Sequence, residues 1–87
     1  MSAAEASPCV LLVEANEDLA QDVSNDLRES GYIPVVAATI DSGMQEVRNR
    51  HPALIVVNRM LAGESGVDLC QQLRSQGDRT PMLLLMA

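Results

Sequence analysis

Apolar residues recur along this chain in two rhythms, one continuous and one helical. Cys9-Val10-Leu11-Leu12-Val13 and Ala53-Leu54-Ile55-Val56-Val57 are unbroken apolar runs with β-branched members. Runs of that kind read as strands covered on both faces of a parallel sheet. After the first run, Leu19, Ala20, Val23 and Leu27 repeat at helical spacing, with Asn16 as N-cap and Glu17 and Asp18 in the first turn. Acids there complement the helix dipole, and Gly31 stops a helix of about four turns. Tyr32-Ile33-Pro34-Val35-Val36-Ala37 follows as a strand whose Pro34 lacks a ladder donor and so points to a sheet edge. Thr39 caps a helix over residues 40 to 50 with Ile40, Met44 and Val47 inward, and His51-Pro52 ends it. Ser65 caps a further helix carrying Val67, Leu69, Cys70 and Leu73, closed by Gly77-Asp78. Pro81-Met82-Leu83-Leu84-Leu85-Met86-Ala87 reads as another buried strand.

Alternation of strand and helix in this manner predicts an α/β fold, a doubly wound parallel sheet with right-handed crossovers. The central strand stops at Asn58, and open α/β sheets place ligands and chemistry at the carboxyl ends of their strands. The side chain of Asn58 therefore decides what the domain does, and an amide neither ionises near neutral pH nor serves as a nucleophile. A bare hydrophobic strand at the end, with no helix after it, predicts a sheet truncated after its fourth strand. The expected organisation is a mobile leader over residues 1–8 and an incomplete domain over residues 9–87.

Composition narrows the function classes. Eighty-seven residues hold one small core, and a net charge of -6 argues against a grip on nucleic acid or an anionic membrane. One Tyr is the only aromatic, so no platform exists for stacking bases. Cys9 and Cys70 lack a CxxC spacing or a nearby His and read as buried free thiols. With no signal peptide and no apolar run of spanning length, a cytoplasmic location is expected.

Particular residues carry a family likeness. They are Leu12-Val13-Glu14, Gly31-Tyr32, Ala38 with Gly43, Leu54-Ile55-Val56-Val57-Asn58, Met60-Leu61, Gly63, Gly66-Val67-Asp68-Leu69-Cys70 and Thr80-Pro81. In this order and spacing, the stretch from Val10 to Ala87 resembles the receiver domain of two-component response regulators. The resemblance implies a flavodoxin-like, CheY-like fold and a phosphoryl switch. In that switch an aspartate ending the third strand accepts a phosphoryl group from a histidine kinase, beside Mg²⁺ held by acids after the first strand.

Set against that pattern, Asn58 stands at the phosphoacceptor position, and Glu14 keeps one acid of the usual pair while Ala15 replaces the other. Met86 stands at the hydroxyl position, Met60 matches a backbone ligand position, and Ala62 replaces the usual loop proline. Close carboxylates repel by up to about 4 kcal/mol at an effective dielectric of 20, and that crowding is what makes Mg²⁺ welcome. With Glu14 alone, Mg²⁺ binding is expected to be weak or absent, and no catalytic residue is assigned.

Blander readings apply to the same residues. Glu14 reads as a solvated strand-end acid hydrogen-bonded to Asn58, Met86 as core, His51 as an exposed helix end, and Glu17, Asp18 and Asp22 as a solvated face. The expected function is a pseudo-receiver that regulates through protein partners or an attached effector domain, independent of phosphorylation, in signal transduction or transcription regulation. An exposed fourth strand favours homo-oligomers or domain swapping. The alternative is a functional aspartyl-phosphate receiver with an engineered Asp-to-Asn change at position 58. A small-ligand module using the carboxyl-end crevice ranks last, because Tyr32 stands at the wrong end of its strand to stack a flavin.

Overall fold

The computed structural model describes residues 8–86, so all of the expected leader except Pro8 lies outside the described residues. Elements follow in the order β1 (Cys9–Val13), α1 (Glu17–Glu29), β2 (Ile33–Ala37), α2 (Ile40–Arg50), β3 (Leu54–Asn58), β4 (Met60–Leu61), β5 (Glu64–Ser65), α3 (Gly66–Ser75) and β6 (Met82–Leu85). β1, β2, β3 and β6 make one parallel sheet in the order β2-β1-β3-β6. β4 and β5 form a separate antiparallel ribbon that periodicity did not reveal, being only two residues per strand.

The continuous apolar runs are explained by burial on both sides. Leu11, Val13, Ile55 and Val57 point to the face where Ile40, Met44 and Val47 of α2 meet Leu69 and Leu73 of α3. Val10, Leu12 and Val56 point the other way, onto Ala20, Val23 and Leu27 of α1. One helix on one face and two on the other is the doubly wound arrangement expected from the alternation of elements.

Helix ends are set by the local chemistry that the sequence displays. Asn16 Oδ1 accepts from the Leu19 amide, and Thr39 and Ser42 form a reciprocal capping box. α1 and α3 end alike: the Gly31 and Gly77 amides bond the Arg28 and Arg74 carbonyls, and the Tyr32 and Asp78 amides bond those of Leu27 and Leu73. Both glycines have positive φ, 90° and 81°, as this closing motif requires. Tyr32 is thereby taken up by the end of α1, and β2 begins one residue later than the apolar run suggested. His51 closes α2 in the left-handed region at φ 47° and is exposed, as expected of a helix end.

Three burial expectations are corrected. Cys9 and Cys70 are free but half-buried: Cys9 starts β1 at the rim of the sheet, and Cys70 is a neighbour of Leu69 on α3, off the buried Leu69–Leu73 stripe. β6 is not a buried strand, since among the described elements its ladder partner is β3 alone, and Leu83 and Leu84 stand exposed on opposite faces. Met86 is 66% exposed instead of core, because it lies past the last ladder pair of that edge strand. The position of Pro34 agrees with its edge assignment: among the described strands β2 pairs with β1 only, and the ladder runs through Ile33 and Ala37, with Ile33 N–H donating to the Pro8 carbonyl and Glu14 N–H to the Ala37 carbonyl. Alternate residues of a strand turn their backbone groups to opposite sides, so the donor that Pro34 lacks would have faced the open edge.

Candidate functional site

Parallel pairing gathers the carboxyl ends of the strands at one rim of the sheet. Val13 is the register partner of Val57, so the next residues, Glu14 and Asn58, are brought side by side from positions far apart in sequence. Leu85 is the partner of Asn58, which sets Met86 just past the same rim.

Glu14 and Asn58 are buried, at 3% and 6% exposure, and joined. The Asn58 Nδ2 amide donates to Glu14 Oε1 at 2.6 Å, and the Asn16 backbone N–H donates to Glu14 Oε2 at 3.0 Å. The Met60 backbone N–H donates to Asn58 Oδ1 at 2.9 Å. Both ends of the Asn58 amide and both oxygens of the Glu14 carboxylate are therefore engaged, which is what a buried carboxylate needs in place of water. The expectation of a solvated Glu14 is corrected by this burial, whereas its expected hydrogen bond to Asn58 is present. Sequence reading missed the Asn16 amide, because a backbone donor leaves no signature in side-chain chemistry.

Neighbouring positions are arranged differently. Ala15 is half-buried against the α2–α3 core. The Met60 side chain is 69% exposed beside the rim, and that of Met86 likewise points to solvent. The structure thus brings Glu14, Asn58 and the Met60 backbone together and leaves both methionine side chains outside the buried contact. Among the described residues no group of three or more His, Cys, Asp and Glu side chains converges as a metal site would require.

The loop after β3 is held from two sides. The Gly66 N–H donates to the Arg59 carbonyl at 2.8 Å, and a β-carbon on Gly66 would land on the Asn58 carbonyl oxygen. Only glycine lets α3 start this close to the strand end. From the ribbon, Glu64 Oε1 accepts the Ile40 N–H at 3.2 Å and occupies a free donor at the start of α2. A carboxylate reaching across 24 residues to another helix has no local pattern, and sequence reading missed it.

Comparison with known proteins agrees with this geometry. The chain is 31% identical over 80 residues to the transcriptional regulatory protein AfsQ1 of Streptomyces coelicolor, which covers 92% of this chain and 35% of that protein. It is 32% identical over 83 residues to the transcriptional regulatory protein BaeR of Escherichia coli, covering 95% of this chain and 34% of BaeR. The chain thus spans about a third of the length of these curated relatives. The receiver domain of the Francisella response regulator 1452 superposes with a TM-score of 0.84 over 90% of this chain and 64% of that one, at 24% identity, a likeness of fold. The model of the response regulator receiver domain matches residues 10–87, so strand order, rim geometry and sequence agree that the chain belongs to the response regulator receiver family.

Proposed function

We propose that this chain, a receiver domain of two-component signalling, works without phosphoryl transfer to Asn58 and regulates through contacts with protein partners or an attached effector domain. One observation carries the proposal: the amide at the acceptor position is consumed by the buried bonds to Glu14 and to the Met60 N–H. Acyl-phosphate chemistry needs an ionised carboxylate with a free oxygen, and the Asn58 amide offers neither.

The donor set also suits Mg²⁺ poorly. A hard dication takes charged oxygens in octahedral geometry, whereas here a single carboxylate already accepts one hydrogen bond on each oxygen. Ala15 and Met86 supply neither a second acid nor a hydroxyl. The names of AfsQ1 and BaeR, both transcriptional regulatory proteins about three times as long as this chain, support an effector domain in the whole protein. A net charge of -6 supports leaving nucleic-acid contact to that effector. Among the described residues no helix is long and apolar enough to cross a membrane.

The test is incubation of the protein with acetyl phosphate and Mg²⁺, followed by intact mass, alongside a beryllofluoride titration of the proton–nitrogen correlation spectrum. The expected result is no phosphoryl adduct and no shift at Glu14, Asn58 or Met60. A stoichiometric adduct, or saturable shifts at those residues at low millimolar Mg²⁺, overturns the proposal.

A further inference from the structure

The β4–β5 ribbon connects two places that the chain otherwise keeps apart. Its base is closed by the Gly66 N–H on the Arg59 carbonyl, and within it Met60 pairs with Ser65 and Leu61 with Glu64 around a turn at Ala62 and Gly63. Gly63 has φ 72°, and the turn is exposed together with Glu64 and Ser65. At one end of this short strap the Met60 N–H donates to Asn58 Oδ1 at 2.9 Å. At the other end Glu64 Oε1 accepts the Ile40 N–H of α2 at 3.2 Å.

The Glu64 contact does more than cap a helix. α2 already closes its own first turn, since Thr39 Oγ1 accepts the Ser42 N–H and Ser42 Oγ accepts the Thr39 N–H. Asp41 supplies the negative charge that a helix start favours. What Glu64 adds is a tie from α2 to a ribbon 24 residues away. Ile40 is only 3% exposed, so its N–H has little water to replace Glu64, and the tie is costly to open. Glu64 is the register partner of Leu61, which is 6% exposed in the core that α2 and α3 share. A shift of Glu64 is therefore a shift of the strand that carries Met60.

We infer that the ribbon is a conformational latch: Glu64, held by the start of α2, keeps the Met60 N–H on Asn58 Oδ1 and so keeps the buried Glu14–Asn58 pair locked. The exposed turn over residues 62–64 is then where a contact from outside reaches that pair, by drawing Glu64 off Ile40. Coupling of this kind is reciprocal. Loss of Asn58 loosens Glu64 on Ile40, just as loss of Glu64 loosens Met60 on Asn58. The latch is made of the chain's own hydrogen bonds and depends neither on the partner that the chain meets nor on phosphoryl chemistry.

The experiment measures amide hydrogen exchange and proton–nitrogen correlation spectra of the full chain as parent, Glu64→Ala, Glu64→Gln and Asn58→Ala. In Glu64→Ala the Met60 amide is expected to exchange about fivefold faster or more, with shifts at Glu14 and Asn58. The Tyr32 amide, bonded to the Leu27 carbonyl at the far end of α1, is expected to keep the parent rate. Glu64→Gln retains an acceptor oxygen and is expected to return Met60 close to the parent rate. In Asn58→Ala the Ile40 amide is expected to exchange about fivefold faster or more. Changes in Glu64→Ala confined to residues 39–43, with Met60 at the parent rate, would make Glu64 a helix cap and overturn the inference. An Ile40 amide undisturbed in folded Asn58→Ala, or a Glu64→Gln variant that behaves as Glu64→Ala, overturns it too. Glu64 is exposed, so its two variants decide the matter by themselves if Asn58→Ala does not fold.

Discussion

Changing Asn58 to Asp would place two carboxylates where one hydrogen bond of 2.6 Å now stands. The repulsion is about 4 kcal/mol at 4 Å and an effective dielectric of 20, so Asn58→Asp is expected to lower the melting temperature by about 15 °C or more at neutral pH, with Mg²⁺ restoring part of the loss. Thermal scans with and without Mg²⁺ measure this, and an Asn58→Asp variant as stable as the parent in chelator would contradict it. Asn58→Ala removes the donor altogether and leaves Glu14 Oε1 without its side-chain partner, for a loss of about 1–3 kcal/mol in urea unfolding. Asp78, after α3, makes its own case. Its carboxylate accepts from the Thr80 side chain and backbone, which with nearby Arg74 and His51 hold its pKa below the ordinary carboxylate value, against a small desolvation. A depressed folded pKa means stability that is present above the unfolded value and lost as pH falls through the folded one. Unfolding curves taken from pH 5 down to pH 2 should therefore show the gap between parent and Asp78→Ala closing with acid. At this scale the identity of Asn58 was legible, because a polar residue ending an apolar run stands out. The burial of Glu14 was not, because it depends on a backbone amide and on a neighbour 44 residues away.

The elements were legible where their signals are local. Asn16, Thr39 and Ser65 each cap the helix expected of them, and α2 spans residues 40–50 as its periodicity indicates. β6 was misjudged because a run of leucines reports hydrophobicity, and only the sheet order reveals how much of it is covered. Asn16→Ala is expected to cost about 1 kcal/mol in denaturant unfolding, since it removes the acceptor for the Leu19 amide. Gly66→Ala is the more damaging change. Its new methyl collides with the Asn58 carbonyl, where backbone on both sides prevents an easy shift, and a loss of about 3 kcal/mol is expected. A Gly66→Ala variant that unfolds at the parent's urea midpoint would show that the start of α3 can move away from β3.

Across the whole molecule, the order β2-β1-β3-β6 leaves β2 and β6 as the outer strands among those described. β2 is protected by Pro34, whose missing donor faces outward. Pro34→Val, which restores that donor beside exposed Val36, should raise self-association measured by light scattering at high concentration without lowering the melting temperature by more than a few degrees. The parallel class and the edge position of β2 could be inferred from the chain, since unbroken runs and a strand proline each have a direct cause. The central place of β1 also bears on how the domain acquires its shape. The first of the described strands finds its two neighbours only when Pro34 and Leu54 arrive opposite Val10, so its ladder closes over loops of some 24 and 44 residues. Closure over such distances costs chain entropy before any contact repays it. On a ribosome, β1 and α1 would therefore emerge well before their sheet can form, and the rate-limiting event should be the docking of β3, a step that truncations ending before Leu54 would abolish.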